Sequence, residues 1–237
     1  MSADKNLIDA LKRSLQAHAD SNAAPLMQAY MKSNMPFYGV KTPQMRTICK
    51  DVFSAHPLTS FERWRDTVLN LWRKAKFREE RHCAIQLCES RRYLDYQTLD
   101  TIPVYEEMIV TGAWWDYVDV IASHRIGYLL KQYPKQLKTL LKQWACCDDM
   151  WKRRAAILAQ LSYKGDTDLK LLYACIQPSL GSQEFFLQKA IGWALRTYAW
   201  YDISEVMAYI EKNKTKLSPL SQREALKNRA KLQPPGK

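Results

Sequence analysis

The stretch from Thr111 to Gly127, TGAWWDYVDVIASHRIG, sets the pattern that recurs through much of the chain. It places two adjacent tryptophans, Trp114 and Trp115, just before two carboxylates, Asp116 and Asp119. Residues four apart share a face of an α-helix, so Trp115 and Asp119 are expected to lie side by side. An indole beside a carboxylate suits a cationic ligand, because the ring face and the acid both attract positive charge. Most tryptophans are nevertheless core residues, and most helical acids are solvated, so the spacing alone favours a structural role.

The same stretch is one copy of a repeated pattern. A two-residue apolar pair ending in isoleucine returns at intervals of 36, 36 and 34 residues, and an aromatic residue stands six positions before three of these isoleucines. Helix pairs that recur about every 35 to 45 residues are typical of an α-solenoid of HEAT or armadillo type. No alternating strand pattern competes with this prediction. The copies are Ala84-Ile85, Val120-Ile121, Ala156-Ile157 and Ala190-Ile191, and the aromatic residues are Trp115, Trp151 and Phe185.

Helical spacing and cap signals extend the prediction to both ends of the chain. Residues 4–20 carry apolar side chains at helical spacing, and a second helix is predicted around Leu26, Met27, Tyr30 and Met31. Between the repeated copies, second helices are predicted at residues 133–144, 169–176 and 203–211. We predict a single domain over residues 1–237, with residues 232–237 as a frayed tail.

Several helix starts follow from the residues that favour N-terminal caps. Thr42 is the expected N-cap of a helix with Pro43 at its first position. Two pairs with capping-box spacing are expected to open further helices, and Asp148-Asp149 is expected to cap the helix that contains Trp151. The two pairs are Thr59 with Glu62 and Ser221 with Glu224.

The composition narrows the classes of function. The chain has 36 Lys and Arg against 24 Asp and Glu, a net charge of +12, which attracts polyanions such as DNA, RNA or an anionic membrane. No apolar run of about 18 residues and no apolar signal core are present, so neither a membrane span nor secretion is expected. Nucleotide-binding, zinc-protease and GxSxG motifs are absent from the sequence. The basic runs, such as Lys152-Arg153-Arg154, either are solvated faces or line a phosphate-binding groove.

The cysteines indicate a reducing environment. None of the six forms a C-x-x-C pair, and no histidine pair stands near them at ligand spacing, so a structural zinc site is not expected. Buried, reduced thiols in a cytosolic protein are the better interpretation. The cysteines are Cys49, Cys83, Cys88, Cys146, Cys147 and Cys175.

Specific strings make the chain resemble a known family. WWDYVD begins at Trp114, WKRRAAILAQLSYK at Trp151 and QKAIGWALRTYA at Gln188. Together with QAYMKSNMPFYGVKTPQMR and SPLSQREALK, they run in order through nearly the whole chain. On these strings the chain resembles the AlkD-like DNA glycosylases, the DNA alkylation repair family built from HEAT-like repeats.

The resemblance implies an all-α solenoid whose concave, basic face holds duplex DNA. It implies a monofunctional glycosylase of base excision repair, which hydrolyses the N-glycosidic bond of cationic purines, N7-alkylguanine and N3-alkyladenine, without base flipping. It further implies no metal or organic cofactor, no obligate protein partner, a monomer, and a bacterial cytoplasmic location at the nucleoid. The alternatives are a non-catalytic HEAT-repeat protein that binds damaged or distorted DNA, and a protein-interaction solenoid.

The resemblance also assigns roles to individual residues. Asp119 takes the position of the catalytic aspartate, Trp115 and Trp193 those of the groove-facing tryptophans, and Arg154 that of an arginine that holds the DNA backbone near the lesion. From its apolar surroundings alone, Trp193 would be a core residue; Trp114 is expected in the core and Asp116 on the surface. The further residues expected to contact DNA are Tyr30, Lys152, Arg153 and Arg196.

One carboxylate suffices for this chemistry. A cationic alkylated purine leaves readily as a neutral base, so no general acid is needed. The carboxylate opposes the positive charge that develops on the deoxyribose and orients or deprotonates the attacking water. The sequence shows no lysine-nucleophile motif, which agrees with a glycosylase that lacks lyase activity.

Overall fold

The computed structural model of the protein describes residues 3–228, and the predicted tail at 232–237 lies outside them. Helix makes up 73% of the structure and no strand is present in the described range, which confirms the all-α fold of helical repeats. No described helix is both long enough and apolar enough to cross a membrane.

The described residues group into two compact units, one ending at Val104 and the other beginning at Tyr105. The prediction of a single domain stays a prediction. The helices of the first unit are α1 (Lys5–Ala17), α2 (Ala23–Met31), α3 (Thr42–Ala55), α4 (Phe61–Arg73) and α5 (Arg78–Glu89), followed by 3₁₀ segments at Arg91–Tyr96 and Leu99–Thr101. The remaining α-helices are α6 (Ile102–Gly112), α7 (Trp115–Val120), α8 (Gly127–Gln132), α9 (Pro134–Cys146), α10 (Met150–Leu158), α11 (Leu169–Ile176), α12 (Phe185–Tyr198), α13 (Ile203–Lys212) and α14 (Pro219–Ala225).

In the first unit, α1 packs against α3 and α4, and α5 packs against both of these helices. Asp4 caps α1 by accepting a hydrogen bond from the Leu7 backbone N–H at 2.9 Å. The apolar side chains that predicted this helix all point into the core, because the spacing puts them on one stripe. They are Leu7, Ile8, Leu11 and Leu15.

A buried carboxylate fixes the loop between α2 and α3. Glu79 of α5 accepts hydrogen bonds from three consecutive backbone N–H groups, those of Tyr38 (3.1 Å), Gly39 (2.9 Å) and Val40 (3.1 Å). Gly39 adopts φ +89°, and a Cβ there would lie 2.2 Å from the carbonyl oxygen of Asp20. Only glycine therefore fits this close approach of the loop to the chain before α2.

In the second unit, the helices that carry the repeated pattern pack in succession. α10 contacts both α7 and α12, and α12 contacts α14. The intervening helices α9, α11 and α13 begin and end within two residues of the predicted ranges. The isoleucines of the pattern are buried because each faces the neighbouring helices of the layer; they are Ile121, Ile157 and Ile191. Gly192 permits the contact between α12 and α14, since a Cβ there would lie 2.5 Å from the Glu224 Cβ.

The helix that begins with α7 contains an irregularity that the sequence did not predict. Between α7 and α8 the chain continues as a π-helix over Ile121–Ile126, without a break in helical backbone. Just inside it, the Ser123 hydroxyl donates to the Asp119 carbonyl oxygen at 2.6 Å. Such π segments are rare and are frequent at functional sites.

Two predicted helix starts in the first unit are wrong by one residue. Lys41, not Thr42, is the N-cap of α3, and Pro43 takes the second helical position. Proline fits either of the first two positions, because neither N–H has an intrahelical acceptor. Ser60, not Thr59, caps α4, and its hydroxyl accepts from the Arg63 backbone N–H at 3.2 Å.

Of the two predicted starts in the second unit, one is wrong and one is confirmed. Ser218, not Ser221, caps α14 and accepts from the Ser221 N–H at 3.0 Å, while the Ser221 hydroxyl donates to the Gln188 carbonyl oxygen. Asp149 caps α10 as predicted, accepting from the Lys152 N–H at 2.8 Å.

The cysteines are free, and most are buried. The expectation that all six are buried is wrong for Cys146, which is exposed at the last position of α9, and for the half-buried Cys147. Helical spacing explains the difference, because Cys146 lies beyond the apolar stripe formed by Leu137, Leu141 and Trp144.

Candidate active site

The centre of the candidate site is an ion pair between Asp119 on α7 and Arg154 on α10. The Arg154 Nε donates to one carboxylate oxygen of Asp119 at 2.7 Å, and Nη2 donates to the other at 2.8 Å. Asp119 is 7% exposed and Arg154 is 4% exposed. This planar, two-bond geometry is the strong form of the arginine–carboxylate interaction, and it compensates both charges for the loss of water.

The same guanidinium reaches a third helix. Its Nη1 donates to the backbone carbonyl oxygen of Phe186, in the first turn of α12. Trp193 follows Phe186 by seven residues, two helical turns, and so lies on a similar face of α12. Arg154 thus connects the helix of Asp119 and Trp115 with the helix of Trp193.

Burial raises the pKa of Asp119 above its ordinary value of 3.8. The hydrogen bonds and the positive charge of Arg154 lower this pKa, and the nearby negative charge of Asp116 raises it. Desolvation is the largest of these effects, because the ionised form has lost most of its contact with water. A carboxylate with a raised pKa is a stronger base than an ordinary aspartate.

One of the tryptophans near the ion pair, Trp114, belongs to a packed aromatic cluster. Trp114 packs against Trp151 and Phe186, with ring centroids 6.2 and 5.4 Å apart, and Trp151 lies 5.0 Å from Phe186. Trp114 was expected in the core; it makes these ring contacts but is half-buried, outside the fully buried core. Trp114, Trp115 and Trp193 are all half-buried, so each keeps part of its surface accessible.

The other second-unit cations expected to contact DNA all have partners within the protein. Lys152 Nζ lies 2.5 Å from the Glu106 carboxylate, and Arg196 Nη1 lies 2.7 Å from that of Glu224. Arg153 Nη2 donates to the carbonyl oxygen of Pro178 at 3.1 Å and to the hydroxyl of Ser179 at 3.0 Å. Carboxylates therefore offset part of the charge of Lys152 and Arg196, whereas Arg153 retains its charge. Contact of these residues with DNA stays a prediction.

Tyr30 lies in the first unit. It is on α2 and is 77% exposed, and Leu26 one turn earlier is also exposed. Its role in binding DNA likewise stays a prediction.

The sequence indicated both charged residues of the ion pair but not their contact. Asp119 and Arg154 are 35 residues apart, close to the repeat length. In a layer of repeated helices, residues one repeat apart lie on adjacent helices, so this separation was a usable signal. No sequence signal predicted that Glu106, Glu224 and the Phe186 carbonyl oxygen would bind the basic side chains. These contacts depend on how far individual side chains reach.

Comparison with known proteins identifies the family of the chain. Residues 11–228 match the model of the DNA alkylation repair enzyme family. The chain therefore belongs to the DNA alkylation repair enzyme family, which confirms the resemblance found in the sequence. Membership supports a role in DNA repair with DNA as the substrate.

A solved structure extends the comparison. It is that of a predicted DNA alkylation repair enzyme from Enterococcus faecalis, which shares 28% sequence identity with this chain at a TM-score of 0.81. The similarity covers 90% of this chain and 97% of that chain. No protein in the curated set matches the sequence significantly.

Proposed function

We propose that the protein is a monofunctional DNA glycosylase that hydrolyses the N-glycosidic bond of cationic alkylated purines, N7-alkylguanine and N3-alkyladenine, in duplex DNA. The observation that carries the proposal is Asp119, a buried carboxylate of raised pKa on the same helix as Trp115, in a family that repairs alkylated DNA. A carboxylate that faced only phosphates would weaken DNA binding, whereas it would stabilise a cationic sugar.

In the proposed reaction, the bond between the sugar C1′ and the purine nitrogen breaks, and its electron pair neutralises the charge of the departing base. The positive charge that develops on the deoxyribose is opposed by the Asp119 carboxylate. Water then forms a bond to C1′, and its proton passes to Asp119. The products are a free base and an abasic site in an intact strand.

Arg154 is proposed to orient this carboxylate. Its two hydrogen bonds use one lone pair of each Asp119 oxygen, and a carboxylate oxygen has a second lone pair that can accept from water. The predicted contact of Arg154 with phosphate requires a conformational change. Because the side chain is only 5% exposed, a phosphate reaches it only if its surroundings rearrange when DNA binds.

Trp115 and Trp193 are proposed to present ring faces to the sugar as it becomes cationic. Their partial exposure supports this role, since a fully buried ring offers no face to a ligand. Trp114, packed between Trp151 and Phe186, is proposed to hold α7 in place through the aromatic cluster.

The second candidate is a non-catalytic protein that binds damaged or distorted DNA. The closed ion pair favours it, because an aspartate whose two oxygens are both held by a buried arginine is also what a purely structural pair looks like. The two functions differ in whether a base is released.

The discriminating experiment is incubation with duplex DNA that has been methylated chemically, followed by chromatography of the released bases. We expect N7-methylguanine and N3-methyladenine to appear as free bases, with strands that break only after alkaline treatment. Binding to the methylated duplex with no release above the protein-free control would favour the binding protein. Strand cleavage without alkali would contradict the monofunctional assignment.

A further inference from the structure

A basic pocket lies on the surface of the first unit, where α3 faces the end of α5 and the 3₁₀ segment that follows it. Its volume is about 250 Å³. Arg46 and Lys50 line it from successive turns of α3, and Arg92 lines it from the 3₁₀ segment Arg91–Tyr96. Because α3 packs against α5, three cations from separate parts of the sequence converge on one depression.

These three cations differ from those of the candidate active site. Their side chains form no ion pair and no hydrogen bond with the part of the chain that the structure describes. All three residues are exposed. By contrast, Lys152 and Arg196 are each held by a carboxylate. The full charge of Arg46, Lys50 and Arg92 is therefore available to an anion from solution.

The other residues that line the pocket offset only part of this positive charge. Among the described residues around the pocket, Glu89 supplies the one carboxylate, and the Gln86 side-chain amide donates to it at 2.9 Å. The pocket thus keeps a net positive charge. The hydroxyls of Ser54 and Ser90 add neutral hydrogen-bond donors at its edge.

The floor of the pocket indicates which part of a nucleic acid fits. It is formed by Cys49 and Phe53, and both are buried. Phe53 therefore offers no ring face on which a base could stack. Guanidinium groups match the oxygens of a phosphate, and an ammonium adds a compact charge beside them. The pocket is suited to the backbone of a nucleic acid and not to its bases.

We propose that this pocket binds a phosphodiester of the DNA strand, as a backbone contact in the first unit additional to the site at Asp119. The inference rests on the proposed function in taking duplex DNA as the ligand. The contact carries no sequence information and positions the protein on the duplex.

The test removes the three charges and measures binding of a lesion-free duplex over a range of salt concentrations. The pocket variant carries Arg46→Gln, Lys50→Gln and Arg92→Gln. The matched control removes three exposed charges that do not line the pocket, with Lys5→Gln, Arg13→Gln and Lys76→Gln. Circular dichroism checks that both variants keep the helical fold.

We expect the slope of log affinity against log salt concentration to decrease by about 1 in the pocket variant, with affinity at low salt reduced on the order of tenfold. The control is expected to change by less than half as much. A charge-preserving variant, Arg46→Lys with Arg92→Lys, is expected to keep the wild-type slope. Equal losses in the pocket variant and the control would show a general effect of net charge and would overturn the proposal.

Two measurements separate this inference from the glycosylase proposal. Base release by the wild-type protein tests the glycosylase proposal, and the salt slope of the pocket variant tests the pocket. If the wild-type protein releases no bases, the glycosylase proposal is refuted, whatever the salt slope. If the pocket variant keeps the wild-type salt slope, only the proposal that the pocket binds DNA is refuted. A competition experiment tests the other kind of ligand. If a poly-glutamate peptide displaces the duplex from the wild-type protein as effectively as DNA of equal total charge, the pocket binds an acidic protein partner instead.

Discussion

Two of the buried carboxylates, Glu79 in the first unit and Asp119 in the second, are held in different ways. Glu79 in the first unit is 2% exposed and accepts from three backbone N–H groups of one loop. Asp119 in the second unit is nearly as buried but receives its hydrogen bonds from a single side chain, that of Arg154. Burial alone therefore does not distinguish a structural carboxylate from the one proposed to act in catalysis.

The two carboxylates differ in the kind of group that donates hydrogen bonds to them. The backbone amides around Glu79 cannot move without unfolding the loop, so this carboxylate is fixed and both of its oxygens are engaged. A guanidinium is a side chain, and a phosphate is an alternative acceptor for it. The bonds that hold Asp119 can thus change when DNA binds, whereas those that hold Glu79 cannot.

The largest effect is expected from Asp119→Asn. Asparagine keeps the shape of the side chain and one acceptor oxygen for Arg154, but it can neither oppose a full positive charge nor take a proton. We expect single-turnover base release to fall at least about 100-fold, with duplex affinity equal or higher because a negative charge is lost. Base release by this variant at the wild-type rate would exclude Asp119 from the chemistry.

Glu79→Gln tests whether the buried carboxylate of the first unit has a structural role. Glutamine can still accept from Gly39 and Val40, but its amide group must then face the Tyr38 N–H, which leaves two donors opposed. We expect the free energy of unfolding to fall by about 2 kcal/mol, measured by urea denaturation. A loss below a few tenths of a kcal/mol would mean that the loop does not depend on this carboxylate.

Arg154→Lys tests whether the two hydrogen bonds of the ion pair are needed for base release. Lysine keeps the charge but cannot hold both oxygens of Asp119 in one plane, so base release is expected to fall about tenfold. The pKa of Asp119, already raised by burial, should rise further because hydrogen bonds that lower it are lost. Activity that needs the ionised form disappears as the pH falls through this pKa, so the acid limb of the pH–rate profile is expected to move to higher pH. An unmoved acid limb would separate Arg154 from the titration of Asp119.

The smallest effect is expected from Glu106→Gln, which frees Lys152 from its ion pair. Attraction to Glu106 raises the pKa of Lys152, and the lysine is charged with or without that partner. Exposed or half-exposed pairs contribute little, so we expect duplex affinity to rise only about two- to fivefold. Glu62→Gln, on α4 in the first unit, removes an equal charge and serves as the control. Equal gains in the two variants would argue against a DNA contact by Lys152.

Much of the fold could be predicted from the sequence, because repeated apolar positions determine which helices pack together. The intervals between Ile85, Ile121, Ile157 and Ile191 located α5 and the helices of the second unit to within a few residues. Cap positions were less certain, since neighbours such as Thr59 and Ser60 are both good capping residues. The π-helix had no sequence signal, because it arises from packing and not from local preference.

The candidate site was predictable in its residues but not in its contacts. The aromatic–acid spacing and the resemblance identified Asp119, and the repeat length was enough to place Arg154 on the adjacent helix. The run Arg153-Arg154 gave no sign that one arginine is buried and the other half-exposed. Glu79 was missed for a related reason: in REERH it has the spacing of a solvated acid, and its partners lie 39 to 41 residues away.

The most direct measurement compares the two buried carboxylates on one substrate. Single-turnover release of N7-methylguanine from methylated duplex DNA is measured for Asp119→Asn and Glu79→Gln, at a temperature where circular dichroism shows both variants folded. We expect Glu79→Gln to release the base within about twofold of the wild-type rate and Asp119→Asn to be slower by at least about 100-fold. Similar rates in the two variants would contradict the assignment of Asp119 as the catalytic carboxylate.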